Sequence, residues 1–273
     1  MQKPLNESNM QVTNENIKAV MLKAAEAAAK EILPLFRSNL NVENKFSTGF
    51  DPVTIADKNS EKVIREIIGK AFPEHSILGE ELADKNTNSE YSWIIDPIDG
   101  TRSFISGLPV WGILIGLLKN GKTIAGLNSQ PYIGETYVAV GEKAEFIFKG
   151  EVSTLKVSKI KKLNEAIMFT TAPELFSSDA QKNAFANVEK QVRLSRYGVD
   201  CYAYSLLALG QIDLVIEPEL KQYDIAPLIA IVEKSGGVIS TWEGKGAENG
   251  GNVVAAATPE LHRTALEIMQ GCS

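Results

Sequence analysis

The chain has 273 residues, 44% of them hydrophobic, and a net charge of −6, which is enough apolar material for one large or two tightly joined domains. The acidic balance and the lack of a basic cluster argue against nonspecific nucleic-acid binding and against an anionic-membrane partner, and no run approaches the length of a membrane helix. Two cysteines, Cys201 and Cys272, are too few for a disulfide framework, so a reducing cytoplasmic setting is expected, with Cys272 in a frayed terminus.

The first dozen residues, MQKPLNESNMQV, are polar and read as a loose tail without the apolar core of a secretion signal. From residue 16 to about 36, Ile17, Val20, Met21, Ala24, Ala28 and Ile32 recur at helical spacing with Lys and Glu between them, which predicts an amphipathic core helix. Its charges are mixed in sign and Ala dominates its apolar face, so a membrane-surface or calmodulin-like role is disfavoured. The segment DPVTIAD (51–57) leads into a helix from about 58 to 71, whose Val63, Ile64, Ile67 and Ile68 form an apolar stripe. Asp57 stands where a helix cap belongs, and Thr54 reads as a turn or strand residue. The acids of GEEL (79–82) follow the apolar Ile77-Leu78, which places them at a strand end; in isolation the favoured reading is a solvated loop.

Residues 93–104, WIIDPIDGTRSF, carry the strongest chemical signal. Trp93, Ile94 and Ile95 suit a buried strand, and Asp96-Pro97 is expected to break it into a turn. Pro97 fixes φ and removes a donor, so Asp96, the Ile98 carbonyl and Asp99 can all be aimed at one point. Oxygen donors of this kind suit a hard cation such as magnesium, and with two His in the chain zinc is disfavoured. The alternative is that Asp, Pro and Gly here are ordinary turn residues.

Beyond this motif, VWGILIGLL, NGKTIAGLNSQP, ETYVAVG and EFIFKG predict successive strands of a largely antiparallel sheet. From about residue 151 the pattern becomes alternating: strands at STLKVS, EAIMFT and DLVIE, helices near 177–191 and 200–209, and a helix opening near Asp224 with Pro227 in its first turn and Gly236-Gly237 as its stop. As a plain N-cap, Asp224 needs no function. The expected organisation is therefore mixed α/β, an α+β half over 1–150 joined without a free linker to an α/β half over 151–273. No internal repeat or low-complexity tract suggests a solenoid or a disordered interaction protein.

Four segments, DPVTIAD (51–57), LGEE (78–81), DPIDGT (96–101) and YDIAPLIAIVEKSGG (223–237), match in order and approximate spacing the motifs of the inositol monophosphatase superfamily, which the chain resembles over nearly its whole length. Tyr223 stands where inositol monophosphatases usually carry Trp. The resemblance implies a layered αβαβα sandwich of the inositol monophosphatase/fructose-1,6-bisphosphatase type, a homodimer, and a phosphomonoesterase using two or three Mg²⁺ ions. It implies Glu80, Asp96 and the Ile98 carbonyl as ligands of a first metal, Asp96, Asp99 and Asp224 as ligands of a second, and Glu80, with Glu81 as a further candidate, as support for a weaker third. Backbone amides at Gly100 and Thr101 would receive the phosphate. Thr101 would orient the attacking water, with Asp57 helping to take its proton, so that Asp57, Thr101 and Glu80 form the catalytic set. Independently, four carboxylates in one cleft cannot all stay ionised without cations among them.

Arg102 departs from the usual inositol monophosphatase pattern, and RSFISGLPVWG (102–112), NSQPYIGE (128–135), RYGVDCYAYSLLALG (196–210) and DLVIEPELKQYD (213–224) resemble most the histidinol-phosphate phosphatase branch. That branch implies a rim of Gly198, Asp200, Glu217 and Arg102 around the substrate. Histidinol phosphate carries an ammonium and an imidazole, and a desolvated carboxylate gains more from these than from the hydroxyls of an inositol ring. Alternatives stand beside each assignment: Asp200 as N-cap of a helix over 201–209, Glu217 as an exposed loop acid, and Arg102 as phosphate clamp, charge neutraliser or subunit contact. Trp111 and Tyr202 either wall the pocket or simply pack. The expected partner is a small phosphate monoester. A noncatalytic metal- or phosphate-binding regulator would have lost one of Asp57, Glu80, Asp96, Asp99, Thr101 and Asp224, and all six are present.

Overall fold

The computed structural model describes residues 9–38, 43–44 and 52–271. Asp51 of the DPVTIAD segment, most of the N-terminal tail, and Cys272 lie outside the described residues. In chain order the elements are α1 (Asn14–Ile32), β1 (Glu43–Asn44), β2 (Pro52–Val53), α2 (Ile55–Ala71), β3 (Ser76–Gly79), β4 (Tyr91–Asp99), α3 (Thr101–Ile105), β5 (Gly112–Lys119), β6 (Lys122–Gln130), β7 (Glu135–Val140), β8 (Lys143–Phe148) and β9 (Glu151–Thr154). They continue as β10 (Ile167–Thr170), α4 (Asp179–Glu189), β11 (Leu194–Tyr197), α5 (Tyr202–Ala208), β12 (Leu214–Leu220), α6 (Gln222–Lys234), β13 (Val238–Thr241), β14 (Gly251–Ala256) and α7 (Pro259–Gln270).

Strands β3 to β9 form a seven-stranded sheet in sequence order, parallel at β3/β4 and antiparallel thereafter, and β11-β10-β12-β14-β13 form a five-stranded mixed sheet. Side chains alternate across a strand, and that alternation builds the layers. Ile113, Ile115 and Leu117 of β5 join Ile17, Val20, Met21, Ile64 and Ile68 of α1 and α2 in one core. Leu114, between them, faces the opposite way, with Ala203 and Leu207 of α5, Ile225 and Leu228 of α6, and Val215, Val253 and Ala255 of the second sheet. The other face of that sheet, Leu214, Ile216, Val254 and Ala256, meets Phe185 and Val188 of α4 and Leu261 and Ala265 of α7. The result is the αβαβα sandwich.

Helix α6 sits between the sheets, and glycine lets it approach. A Cβ on Gly126 would overlap the Pro227 carbonyl oxygen, and one on Gly116 would lie 3.0 Å from the Pro227 Cα. Pro227, in the sixth position of α6, lacks the N–H that would return to Tyr223.

The structure moves several expected boundaries. Helix α1 ends at Ile32, with Leu33, still helical in backbone, as its C-cap just before Pro34, which has no N–H to return to the Lys30 carbonyl. Helix α2 begins three residues earlier than expected: Thr54 is its N-cap, and Asp57 is the third helical residue of a reciprocal capping box rather than the cap itself. Asp224 likewise occupies the third helical position of α6, accepting from the Lys221 N–H at 2.7 Å, instead of the N-cap. Asp96-Pro97 does not end its strand. β4 runs on to Asp99, and its register with β5 shifts between Asp96 and Asp99; an irregularity of this kind is where a sheet tolerates proline. The strand expected at STLKVS is shorter and earlier, β9, and pairs with β8, so the first sheet extends past residue 150. The sequence pattern assigns no elements after the Asp224 helix, where the structure has β13, β14 and α7.

Candidate active site

The acidic residues meet where β3, β4 and the start of α6 converge. Gly79 of β3 pairs with Ile95 of β4, and the Glu80 N–H donates to the Ile95 carbonyl at 3.2 Å, so Glu80 falls beside Asp96 across the parallel ladder. Asp96 accepts the Ile98 N–H at 3.0 Å, and the irregularity that follows turns Asp99 toward the same side. Carboxylate oxygens of Asp96, Asp99 and Asp224 lie within 4.8 Å of one another. Burial, then the charges of Glu80, Asp99 and Asp224, push the Asp96 carboxyl well above the ordinary range; burial, then Asp200 and Asp224, do the same to Asp99. Such a cluster must either keep protons or hold cations. Its donors are all hard oxygens, with the Ile98 carbonyl lining the same cleft, so the residues present fit Mg²⁺ and offer no nitrogen or sulfur ligand to zinc.

The cleft, about 230 Å³, is lined by Glu80, Asp96, Ile98, Asp99, Gly100, Thr101, Arg102, Thr171, Leu175, Asp200 and Asp224. Gly100 has φ of +84° and is the N-cap residue of the short helix α3, so the backbone there reverses with no side chain in the way. The carboxylate of Asp200 fills the space that side chain would need, 2.9 Å from the Cβ position. Asp200 is itself left-handed, with φ of +42°, and accepts from the Ser103 hydroxyl at 2.6 Å. It does not cap α5, whose N-cap is Cys201. Burial raises the Asp200 carboxyl, opposed by the Ser103 hydrogen bond and by the charge of Arg102. Arg102 is exposed at the cleft edge, where it offsets that carboxylate.

Other expected site residues stand further back. Asp57, 1% exposed, accepts at Oδ2 from both the N–H and the hydroxyl of Thr54 at 2.7 Å, while the single Thr101 hydroxyl proton goes to the Ile98 carbonyl at 3.1 Å. Glu217 is no exposed loop acid. It is 2% exposed on β12, behind Thr171, whose N–H (2.6 Å) and hydroxyl (3.0 Å) it accepts, and burial pushes its carboxyl up to about 8 against those hydrogen bonds. Gly198, φ +85°, has open space at its Cβ position and serves the turn from β11 toward Asp200 through its backbone. Trp111 packs against Phe36 and Phe104 in the first core, and the Tyr202 hydroxyl donates to Glu135 at 2.9 Å, so neither is among the residues lining the cleft.

Sequence reasoning missed Ser103, Thr171, Leu175 and the Cys201 N–H, which donates to Asp99 Oδ2 at 2.7 Å. None had a local signal, because each acts across a sequence gap that only the fold closes. Thr54 did have one: Thr-x-x-Asp before an apolar helical stripe is a capping-box pattern.

Comparison with known proteins gives the class. The model of the inositol monophosphatase family matches residues 13–273, and the chain belongs to that family of phosphatases. Among individual relatives, the chain is 40% identical over 257 residues to a protein of Arabidopsis thaliana named bifunctional phosphatase IMPL2, chloroplastic, covering 90% of this chain and 72% of that one. It is 32% identical to a histidinol-phosphatase of Chlorobaculum parvum, covering 90% and 93% of the two chains. An inositol monophosphatase structure from Zymomonas mobilis superposes with a TM-score of 0.83 at 34% identity, over 95% of this chain and 100% of that one. Among the described residues, no helix is long and apolar enough to cross a membrane.

Proposed function

We propose that the chain is a Mg²⁺-dependent phosphomonoesterase whose substrate is histidinol phosphate. The observation that carries the substrate is Asp200, a second acidic feature beside the Asp96, Asp99 and Asp224 cluster, held over Gly100 by Ser103. A carboxylate so desolvated gains more from an incoming ammonium or imidazolium than from a neutral hydroxyl. Relatives named histidinol-phosphatase support the reading.

Glu80, Asp96, the Ile98 carbonyl, Asp99 and Asp224 would hold two or three ions. When bound, Mg²⁺ would lower the pKa of a water so that it yields the hydroxide that attacks phosphorus, and would offset charge on the leaving oxygen. The amides of Gly100 and Thr101, at the start of α3, present donors to the phosphate. Thr101 orients the nucleophile, and Asp57, fixed at the first turn of α2, helps take its proton. Arg102 keeps Asp200 from repelling the phosphate, and Gly198 and Glu217 support the rim. We further propose a homodimer, which light scattering on the purified protein would establish.

Phosphate release from histidinol phosphate and from inositol 1-phosphate, measured in parallel with Mg²⁺ and with chelator, tests the reading. A Mg²⁺-dependent preference for histidinol phosphate is expected, and a preference for inositol 1-phosphate would overturn it. Asp200→Asn should lower kcat/KM on histidinol phosphate about 10- to 100-fold, the worth of one charged hydrogen bond, with a smaller loss on the inositol ester. Equal losses would remove Asp200 from substrate reading.

A further inference from the structure

Glu61 is a carboxylate inside α2 with no solvent exposure, on a helix whose other buried side chains are mostly apolar or engaged in the cap. It does not line the acidic cleft. Instead it reaches under the end of β3. Its Oε2 accepts the Glu81 N–H at 2.7 Å, and its Oε1 accepts the Leu82 N–H at 3.3 Å. Arg65, one turn on, donates to Glu61 Oε1 at 2.6 Å and sends its other guanidinium nitrogens to the Leu82 and Ala83 carbonyls, each at 3.0 Å. Two side chains of one helix therefore hold two N–H groups and two carbonyls of the three-residue stretch after Glu80.

The strand side is shaped for the same contact. A Cβ on Gly79 would fall inside the 3.0 Å that real Cβ atoms keep from Glu61 Oε1 and from the Glu61 carboxyl carbon, and 2.9 Å from an Arg65 nitrogen. Gly79 has no positive φ, so the need for glycine is space for the carboxylate. Glu80 thus lies between a glycine pressed on Glu61 and an amide bonded to Glu61, while its own N–H is fixed to Ile95. An isolated buried carboxylate is costly unless paired and hydrogen-bonded; this one is both, and every partner named lies in Arg65 or the Glu80 loop.

We infer that Glu61 is a positioning residue for the metal site: with Arg65 and Gly79 it forms a latch that fixes Glu80 in the orientation from which it faces Asp96. The inference rests on the reading of Glu80 as a metal ligand. Outer partners that orient ligands typically change metal affinity by about 10- to 100-fold when lost, and that is the effect expected here.

The test is Mg²⁺ binding to the full chain by isothermal titration calorimetry, with thermal melting of the chelated protein beside it, for wild type, Glu80→Gln, Glu61→Gln and Gly79→Ala. Glu61→Gln keeps the shape but loses the charge facing Arg65 and one of the two acceptors; Gly79→Ala displaces the carboxylate from the strand side and serves if the helix variant does not fold. Both are expected to weaken Mg²⁺ binding by about 10-fold or more, approaching Glu80→Gln, and to raise the Mg²⁺ needed for half-maximal phosphate release by a similar factor with kcat at saturating Mg²⁺ much less affected. A lower melting temperature with unchanged Mg²⁺ affinity would make Glu61 merely structural and overturn the latch. Unchanged Mg²⁺ affinity in Glu80→Gln would instead overturn the reading of Glu80 as a ligand, separating the two failures.

Discussion

The two sheets contribute to the cleft in different ways. The seven-stranded sheet supplies Glu80, Asp96 and Asp99 from two neighbouring strands whose pairing sets where each carboxylate falls, and α2 grips the loop after Glu80 from beneath. The C-terminal half supplies Asp224 from the first turn of α6, and Asp200 from a left-handed residue just before α5. The placing of the carboxylates in the first case is a property of a hydrogen-bonded ladder; in the second it is a property of how one helix and one turn pack. On the proposed reading, Glu80, Asp96 and Asp99 would hold metal from the rigid part, while Asp224 and the substrate-facing Asp200 would depend on the part that packing can readjust.

The largest effect expected on that division is from Asp96→Asn, which touches both metals in the proposed set. It should cut kcat by about a thousandfold or more, since metal-supplied charge stabilisation is worth several kcal/mol; near-wild-type turnover would mean the ladder does not hold the catalytic ions. Next, the chelated protein should show the cost of the unneutralised cluster. Asp96 and Asp99 are raised from 3.8 in the folded chain, so their contribution is full below that pH and is lost as pH rises toward the folded values. The chelated melting temperature should therefore fall as pH is raised above 4, and saturating Mg²⁺ should lift it at pH 7.5 by about 5–10 °C. A chelated protein with a flat profile would show that neither burial nor mutual repulsion raises these carboxyls.

Gly126→Ala tests the packed half. Its Cβ would collide with the backbone at Pro227, costing about 1–3 kcal/mol of stability and, by moving α6, weakening Mg²⁺ binding through Asp224. A stability loss with Mg²⁺ affinity intact would show that Asp224 tolerates movement of its helix. The smallest effect belongs to Thr54→Ala, which removes the α2 cap and one of the two Thr54 hydrogen bonds to Asp57. About 1 kcal/mol of stability should be lost in denaturant melts, and a drop in kcat at saturating Mg²⁺ as well would tie Asp57 to catalysis.

The contrast also explains what could be read from the chain alone. Asp96, Asp99, Gly100 and Thr101 are consecutive or nearly so, and a ladder carries their order directly into space. The periodicity of α1 and α2 was equally legible, because burial on one face writes itself as spacing, and β5, buried on both faces, reads as a continuous apolar run. Asp200 was found only through resemblance, and its partner Ser103 lies 97 residues away. Local pattern also misplaced the turn at Pro97: proline at a register shift and proline at a strand end look the same in sequence. Glu61 reads as one more charge on an amphipathic helix, four residues before Arg65, and nothing local shows that both point inward.

Helix α6 also bears on how the site is completed. It lies on β5 and β6, and its Ile225 and Leu228 share a core with Val215, Ile239, Val253 and Ala255 of the five-stranded sheet. The first sheet by itself places Glu80, Asp96 and Asp99 side by side, whereas the helix bearing Asp224 has its second wall only in the five-stranded sheet. On the proposed reading of these acids as metal ligands, metal loading would therefore report that the second sheet has closed over α6.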